Sequence, residues 1–186
     1  MKLFIRLAKL FATTAIFCSA LSAQADVWKK DLPQAKLVGS GEFTWWGLSI
    51  YSARLWQEPG INPITFNPQQ SFALEITYHK SISRERFVDT SIDEIKRLHG
   101  DSFNAEQMQQ WRSYMAKAFT DVKNGDQLIG VHIPQFGCRF YSQSKLLAEI
   151  PDEKFSKAFL SIWLDPRSKD NQLRTKLTGL SMEANK

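Results

Sequence analysis

Residues 37–56 are dense in aromatic and β-branched residues and contain no proline. This composition predicts two β-strands that are bent or joined near Gly47. At the strand period of two, Phe43 and Trp45 share one face of the first strand, while Trp46 falls on the other face. Both faces then carry apolar bulk, which predicts that these strands lie in the centre of a sheet.

The large apolar residues Phe72, Leu74, Ile76 and Tyr78 alternate with the smaller or polar residues Ala73, Glu75, Thr77 and His79, which predicts a half-buried strand. A surface loop precedes this strand, because proline follows asparagine at 62–63 and again at 67–68. Later in the chain, the pattern predicts a meander of three short strands over residues 127–133, 138–142 and 145–150.

Two helices are predicted between these groups of strands. Ser83 has the residue type and position of an N-cap, and Gly100 ends the helix that follows. Asn104 with Gln107 forms a capping pair at the start of a second helix, whose apolar stripe continues to Val122.

Two more helices follow the last predicted strand. Asp152 caps the first of them, and Pro166 ends it. The second begins near Asp170. The element order is strands, helices, strands, helices, which predicts a single α+β domain over residues 26–186, with a large, mainly antiparallel sheet covered on one side by a layer of helices.

Residues 1–25 have the three parts of a secretory signal peptide: an early positive charge, a short apolar stretch and the small-residue motif Ala23-Gln24-Ala25. We therefore expect cleavage after Ala25 and export to the bacterial periplasm. No later stretch approaches the about 20 apolar residues of a membrane-spanning helix, so no transmembrane segment is predicted.

The excess of basic residues belongs mostly to this signal. The chain has 24 Lys and Arg against 19 Asp and Glu, and its pI is near 9.2. Without Lys2, Arg6 and Lys9 the count is 21 against 19, so no electrostatic argument for nucleic-acid binding remains.

Catalytic and cofactor motifs have little support in the sequence. Gly39 and Gly41 lack the lysine and the following helix of a phosphate loop. The three histidines are scattered without metal-ligand spacing, and the only basic residue beside Cys138 in sequence is Arg139. We expect no metal, no cofactor and no intrachain disulfide.

The aromatic residues near Gly47 admit two interpretations. They either form part of the core, which residues of this type in strands favour, or line an apolar ligand cleft; they are Phe43, Trp45, Trp46, Tyr51 and Trp56. Polar side chains at Glu75 and His79 share one face of a strand, where they either face solvent or line a polar end of a pocket.

Three stretches together resemble the chalcone isomerase-like superfamily, and in particular its exported bacterial branch. They are residues 37–56 with their glycine pair, the strand-to-helix segment 72–98, and Phe155–Leu164 followed by residues 173–179. The resemblance covers most of residues 35–180 and implies an open-faced β-sandwich, in agreement with the predicted order of elements.

The resemblance also implies site residues, and this chain departs from them. Enzymes of the superfamily have an arginine two residues after the glycine pair, and fatty-acid-binding relatives use it for the ligand carboxylate. Phe43 occupies that place here, and a phenyl ring can neither pair a carboxylate nor stabilise an oxyanion. The enzymes' tyrosine, lysine and asparagine would fall on the Asn104–Val122 helix, where this chain has Gln107, Gln110 and Tyr114. Chalcone cyclisation is therefore not expected.

Arg54, Arg112 and Tyr114 are candidates to replace the missing anchor, since only a polar group near the cleft is needed. The alternative is that both arginines are surface partners of Glu58 or Asp121. The sequence favours a non-catalytic domain that binds a small apolar or amphipathic ligand. An isomerase or intramolecular lyase with another substrate, and a module that binds another envelope protein, remain alternatives.

Overall fold

The computed structural model describes residues 26–59 and 69–180. The predicted signal peptide, most of the proline-containing loop and the polar tail lie outside the described residues. Six strands form one sheet in which every neighbouring pair is antiparallel and the spatial order follows the chain. The strands are β1 (Lys36–Trp45), β2 (Leu48–Gln57), β3 (Phe72–Tyr78), β4 (Gln127–Ile133), β5 (Gly137–Tyr141) and β6 (Leu146–Ile150). The helices are α1 (Arg84–His99), α2 (Ala105–Ala118), α3 (Glu153–Leu164) and α4 (Asn171–Leu177). The predicted α+β class is confirmed.

The predicted helix starts are present with their caps. Ser83 accepts a hydrogen bond from the backbone N–H of Arg86, and Asn104 and Gln107 form a reciprocal capping box. Asp152 caps α3 through the N–H of Phe155. None of the helices within residues 26–59 and 69–180 is long and apolar enough to cross a membrane.

The second helix ends earlier than predicted. It stops at Ala118, and the backbone is already extended at Phe119. Val122 forms an isolated antiparallel bridge with Ile82, with hydrogen bonds of 3.0 Å in both directions. Val122 fits the apolar spacing of the helix because it is half-buried. Its backbone, however, is extended and not helical.

The prediction that both strands near Gly47 are central is wrong for β1, which is an edge strand. Trp45 is 53% exposed and Trp46 is 88% exposed. The prediction depended on Trp46, which was assigned to the second face of the strand. Trp46 instead lies in the turn after β1. β2 is an inner strand, paired with both β1 and β3.

β3 was predicted to be half-buried, and it is buried on both faces. Its helix side carries Phe72, Leu74 and Ile76, and on the other side Ala73 is fully buried. The cover on that second side is a short 3₁₀ helix at Val27–Lys30, whose Trp28 packs 5.6 Å from the ring of Trp56. A distant segment therefore shields a face that the local pattern assigned to solvent.

The main core lies between the sheet and the helices. From α3 it receives Phe155, Phe159 and Trp163, which are buried as predicted, while Ile162 is only half-buried. The rings of Phe159 and Phe140 of β5 meet edge-on, with their centroids 5.3 Å apart. Burial of such large side chains is the main stabilising term of this layer.

Candidate functional site

A cavity of about 740 Å³ lies where the beginning of α1 and the α3–α4 junction meet the β1, β2 and β3 strands. This volume is within the range of about 300–1,000 Å³ that is typical of small-molecule sites. Most of its wall is apolar. The apolar and aromatic lining residues are Phe43, Trp45, Ile50, Tyr51, Ile76, Tyr78, Ile82, Phe87, Ile162, Trp163 and Leu173.

A β-bulge in β2 shapes one wall. Phe43 pairs with Tyr51 and Thr44 pairs with Ser49, so Ile50 is an extra residue on β2. Such a bulge bends the strand and redirects its side chains. Ile50 and Tyr51 are neighbours in sequence and would otherwise point to opposite faces, yet both line the cavity.

The glycine pair lets α4 approach the edge strand. A Cβ atom on Gly39 would lie 2.0 Å from the carbonyl oxygen of Lys176, and one on Gly41 would lie 2.7 Å from Leu173. The pair is thus a helix-packing site rather than a phosphate loop. The register of β1 against β2 also shifts between Leu37 and Gly39. Because α4 lies this close, Leu173 reaches the cavity wall.

Two tyrosines of the cavity wall have buried hydroxyl groups. The indole Nε1–H of Trp163 donates a 3.0 Å hydrogen bond to the hydroxyl oxygen of Tyr51. The hydroxyl of Tyr78 is buried and has no hydrogen-bond partner among the described residues. A buried polar group in this state is costly to the folded protein, and such groups are rare.

Burial keeps both phenols neutral. Desolvation raises the pKa of Tyr51 well above its usual value, and the hydrogen bond from Trp163 only partly opposes this shift. Desolvation likewise raises the pKa of Tyr78, and the neighbouring Tyr51 adds to the effect. The two rings lie 6.3 Å apart in an edge-on arrangement. They form a pair of protonated hydroxyl groups that can donate hydrogen bonds.

Charged groups lie at the mouth of the cavity. Lys80, Arg86 and Lys169 are exposed and line it, together with Glu94 and Asp170. The Nζ atom of Lys169 lies 3.6 Å from a carboxylate oxygen of Glu94. Among the described residues that line the cavity, no buried cation replaces the arginine that the resemblance implied.

The structure brings three of the predicted site residues together. Phe43, Trp45 and Tyr51 all line the cavity, and the rings of Phe43 and Tyr51 stack with centroids 5.1 Å apart. The phenyl ring of Phe43 therefore covers the ring of Tyr51. Trp45 reaches only the mouth, where about half of it is exposed.

The other three predicted residues lie elsewhere. Arg54 is on the opposite face of the sheet, where its Nη1 lies 3.3 Å from Glu75. Arg112 pairs with Asp89 on the surface, and Tyr114 accepts a 2.6 Å hydrogen bond from the side-chain amide of Gln110. Both arginines are surface partners of acids, although not of the acids that the sequence suggested.

The helix facing the cavity is α1 and not α2. Arg86, Phe87 and Thr90 of α1 line the cavity, and no residue of α2 does so. Tyr78, which ends the alternating run of β3, also lines the cavity and was not among the predicted site residues. A hydroxyl-bearing residue on the apolar face of a strand was the available signal, because such a hydroxyl needs a partner.

The polar face of β3 forms a structural network. Glu75 is 6% exposed and accepts a 2.9 Å hydrogen bond from Trp56 Nε1 in addition to its contact with Arg54. His79 lies 3.9 Å from Glu42 on the surface. Neither residue lines the cavity, so this face is not a polar end of the pocket.

The described residues contain no group of three or more His, Cys, Asp and Glu arranged to hold a metal ion. Cys138 is fully buried, and desolvation raises the pKa of its thiol, which therefore stays protonated. His132 is buried as well, with Nδ1 2.7 Å from the hydroxyl of Ser156.

The fold and the cavity together define an α+β domain with a ligand-sized pocket between a sheet and a helical layer. The profile described as chalcone isomerase-like matches residues 22–179, which is most of the chain. The protein belongs to the chalcone isomerase-like family.

The chain is similar to known proteins, among them one bacterial relative and one solved plant structure. An uncharacterised protein of Haemophilus influenzae is 31% identical over 142 residues, which cover 76% of this chain and 67% of the relative. The crystal structure of the fatty-acid-binding protein AtFAP1 of Arabidopsis thaliana matches with a TM-score of 0.59 and 12% identity, covering 80% of this chain and 88% of that one. The second similarity confirms the fold predicted from the resemblance.

Proposed function

We propose that this protein binds an amphipathic ligand in the cavity without transforming it, and that it does so in the periplasm after export. The observation that carries the proposal is the Tyr78 hydroxyl, which is buried in the wall of an apolar cavity without a partner among the described residues. A hydrogen-bond acceptor on a ligand removes the cost of this unpaired group.

The two phenols determine the chemistry of the ligand. Neutral hydroxyl groups at Tyr51 and Tyr78 donate to an acceptor, and the bond from Trp163 leaves the Tyr51 proton free to be donated. The surrounding wall is apolar. The ligand that fits is an apolar chain with an oxygen acceptor such as a carbonyl or a carboxylate.

The mouth of the cavity argues against catalysis by charged groups. Arg86 and Lys80 are exposed to water, where electrostatic stabilisation of a developing charge is weak. Phe43 covers Tyr51 at the position where the resemblance implied an arginine. Glu94 of the lining is 14% exposed, but a carboxylate cannot stabilise an oxyanion, and the described lining has no buried cation that could.

The Arabidopsis structure shares the fold and is named for binding fatty acids. At 12% identity it supports the choice of a probe, while the cavity itself carries the argument. Export rests on the signal-like composition of residues 1–25.

The test is a fluorescence titration of the purified protein with an anthroyloxy-labelled stearate, followed by displacement with unlabelled palmitate. We expect saturable binding of the probe. Tyr78→Phe should weaken palmitate binding by about 2- to 10-fold, the value of one hydrogen bond. Tyr114→Phe is the matched control, because that hydroxyl lies outside the cavity.

Absence of saturable probe binding would contradict the proposal. Equal affinity in wild type and Tyr78→Phe, with folding intact, would also contradict it, because the phenol would then have no role in recognition.

A further inference from the structure

The turn between β1 and β2 carries an unusual residue. Trp46 and Gly47 are the two central residues of a two-residue hairpin loop, with φ angles of 52° and 73°. This is the pattern of a type I′ turn, which favours asparagine and glycine at both positions. A bulky residue at positive φ is strained, and Trp46 is also 88% exposed. The backbone conformation of Trp46 therefore raises the free energy of the folded protein, and its exposed side chain contributes almost no stabilisation through burial.

Trp46 belongs to an exposed apolar group, which we call the hairpin tip and define as Trp45, Trp46 and Leu48. Trp45 is 53% exposed and Leu48 is 56% exposed. The two indole rings meet edge-on with centroids 6.4 Å apart. A contiguous apolar patch of this kind marks a contact with another phase or molecule. Tryptophan in particular is enriched where an apolar medium meets water.

Cations line the cavity beside the hairpin tip. Lys169 Nζ lies 5.9 Å from the ring of Trp45. Lys80 follows His79, whose backbone N–H donates a 2.8 Å hydrogen bond to the carbonyl of Ile50 near the tip. Lys80 and Arg86 have no carboxylate within 4.0 Å in the part of the chain that the structure describes.

The acids nearby are already paired. Glu94 is shared between Lys169 and Arg97, at 3.6 and 2.8 Å. Asp170 caps α4 through the N–H of Leu173. Glu42 accepts from the hydroxyl of Ser49 and faces His79. These hydrogen bonds do not remove the negative charge of Asp170 or Glu42. The cations of the cavity mouth that have no carboxylate partner among the described residues are Lys80 and Arg86, and they are complementary to anionic lipid head groups.

We propose that the hairpin tip inserts into the head-group region of an anionic phospholipid bilayer and brings the mouth of the cavity to the membrane surface. Trp45 belongs to both the tip and the cavity wall, so docking places the cavity entrance beside lipid. An amphipathic ligand then exchanges with the membrane without crossing water. The exchange step rests on the proposed function, whereas the docking of the tip does not.

A bilayer fits the shape of the tip better than a protein partner does. A stable protein interface needs about 800 Å² on each partner. The tip offers three side chains on a convex turn, whereas a fluid interface closes around a small convex group.

The test is co-sedimentation of the purified protein with vesicles of phosphatidylglycerol and phosphatidylethanolamine in equal parts, and with vesicles of phosphatidylcholine alone. The variant is Trp46→Asn, which suits the type I′ turn and therefore keeps the hairpin folded. The matched control is Leu37→Asn, an apolar residue 49% exposed near the opposite end of β1.

We expect the wild type to sediment with the anionic vesicles and much less with phosphatidylcholine. Trp46→Asn should lower the partition coefficient about tenfold or more, since one large apolar side chain no longer leaves water. Leu37→Asn should bind as the wild type does. Trp46→Asn should also melt no lower than the wild type, which separates lost docking from lost folding.

Three results would overturn the docking proposal. The first is a wild type that stays in the supernatant with anionic vesicles. The second is a Trp46→Asn variant that binds like the wild type and is released only by about 0.5 M salt, which would assign the contact to charges alone. The third is a dimer that Trp46→Asn dissociates while neither protein binds vesicles. The stearate titration without vesicles reports on the cavity separately, so either proposal can fail alone.

Discussion

Trp163 of α3 donates its indole N–H to the hydroxyl oxygen of Tyr51 in β2, across 112 positions of sequence and a distance of 3.0 Å. This hydrogen bond joins the helical layer to the sheet at the wall of the cavity. Trp163 is only 7% exposed and also contacts the ring of Phe159 edge-on at 5.5 Å. The same side chain therefore contributes to the core and positions a site hydroxyl.

The two roles of Trp163 can be separated by two substitutions. Trp163→Ala removes the packing and should lower the free energy of unfolding by about 3–5 kcal/mol. Trp163→Phe keeps most of the volume and removes the donor, so a loss nearer 1 kcal/mol is expected from the hydrogen bond. Urea unfolding measures both. An alanine variant as stable as the wild type would mean that α3 does not pack on the sheet in this way.

Tyr78→Phe should not destabilise the protein in the absence of ligand. Its hydroxyl is buried without a partner among the described residues, so its removal eliminates a desolvation cost and loses no hydrogen bond. We expect a melting temperature equal to or higher than that of the wild type, measured by calorimetry on ligand-free protein. A clear decrease would show that the hydroxyl has a partner in the folded protein. Tyr51→Phe, which loses the bond from Trp163, should melt lower and serves as the contrast.

Gly39→Ala should destabilise the edge of the sheet. Its Cβ would lie 2.0 Å from the carbonyl oxygen of Lys176 and 2.6 Å from that of Leu177, and both are backbone atoms that move only with α4. We expect a loss of about 1–3 kcal/mol, typical of overpacking, in a chemical denaturation curve. Ser40→Ala, at the neighbouring exposed position, should stay close to the wild type. Equal stability of the two variants would contradict the close approach of α4 to β1.

His99 should make stability depend on pH. Burial lowers the pKa of its imidazole, and the nearby Arg167 lowers it further. The folded state therefore binds the proton less readily than the unfolded state does. The stability that the neutral ring contributes is present above the unfolded pKa of about 6.5 and is lost as pH falls through the lower folded value.

Melting temperatures between pH 8 and pH 5 test this sign. The wild type should lose stability on acidification, and His99→Gln should show a flatter profile over the same range. A steeper profile in the variant would mean that the folded state binds the proton more tightly.

Export predicts a defined start of the mature chain. If the segment up to Ala25 is a signal peptide, N-terminal sequencing of the protein from the periplasmic fraction should read Asp26-Val27-Trp28. A chain that still begins with Met1 would contradict the prediction. Trp28 is buried against the sheet, so the folded domain starts within a few residues of the expected cleavage point.

The elements that the sequence predicted best have local causes. The caps at Ser83, Asn104 and Asp152 are hydrogen bonds between residues three positions apart, so the signal lies within one helical turn. The strands 127–133 and 146–150 follow from short alternating runs between turn residues. The same locality explains the fold class, which depends only on the order of these elements.

Tertiary contacts decided the rest. The burial of both faces of β3 depends on Trp28, which comes from more than forty positions away. The end of α2 depends on the bridge between Val122 and Ile82. In both cases apolar character was visible in the sequence, but the partner that buries it was not.

The candidate site divides in the same way. Phe43, Trp45 and Tyr51 were accessible to sequence reasoning because aromatic residues on one strand pair share a face. Arg54, Arg112 and Tyr114 do not line this cavity, and sequence order could not show this because it does not specify the side of the sheet or the helix that faces a cavity. The sequence by itself determined the elements, their caps and the aromatic strand pair, since these depend on neighbours along the chain. Only the tertiary structure decided that α1 lines the cavity, that Tyr78 lacks a partner among the described residues and that Trp46 is exposed on a turn, because burial and hydrogen bonding depend on residues distant in sequence.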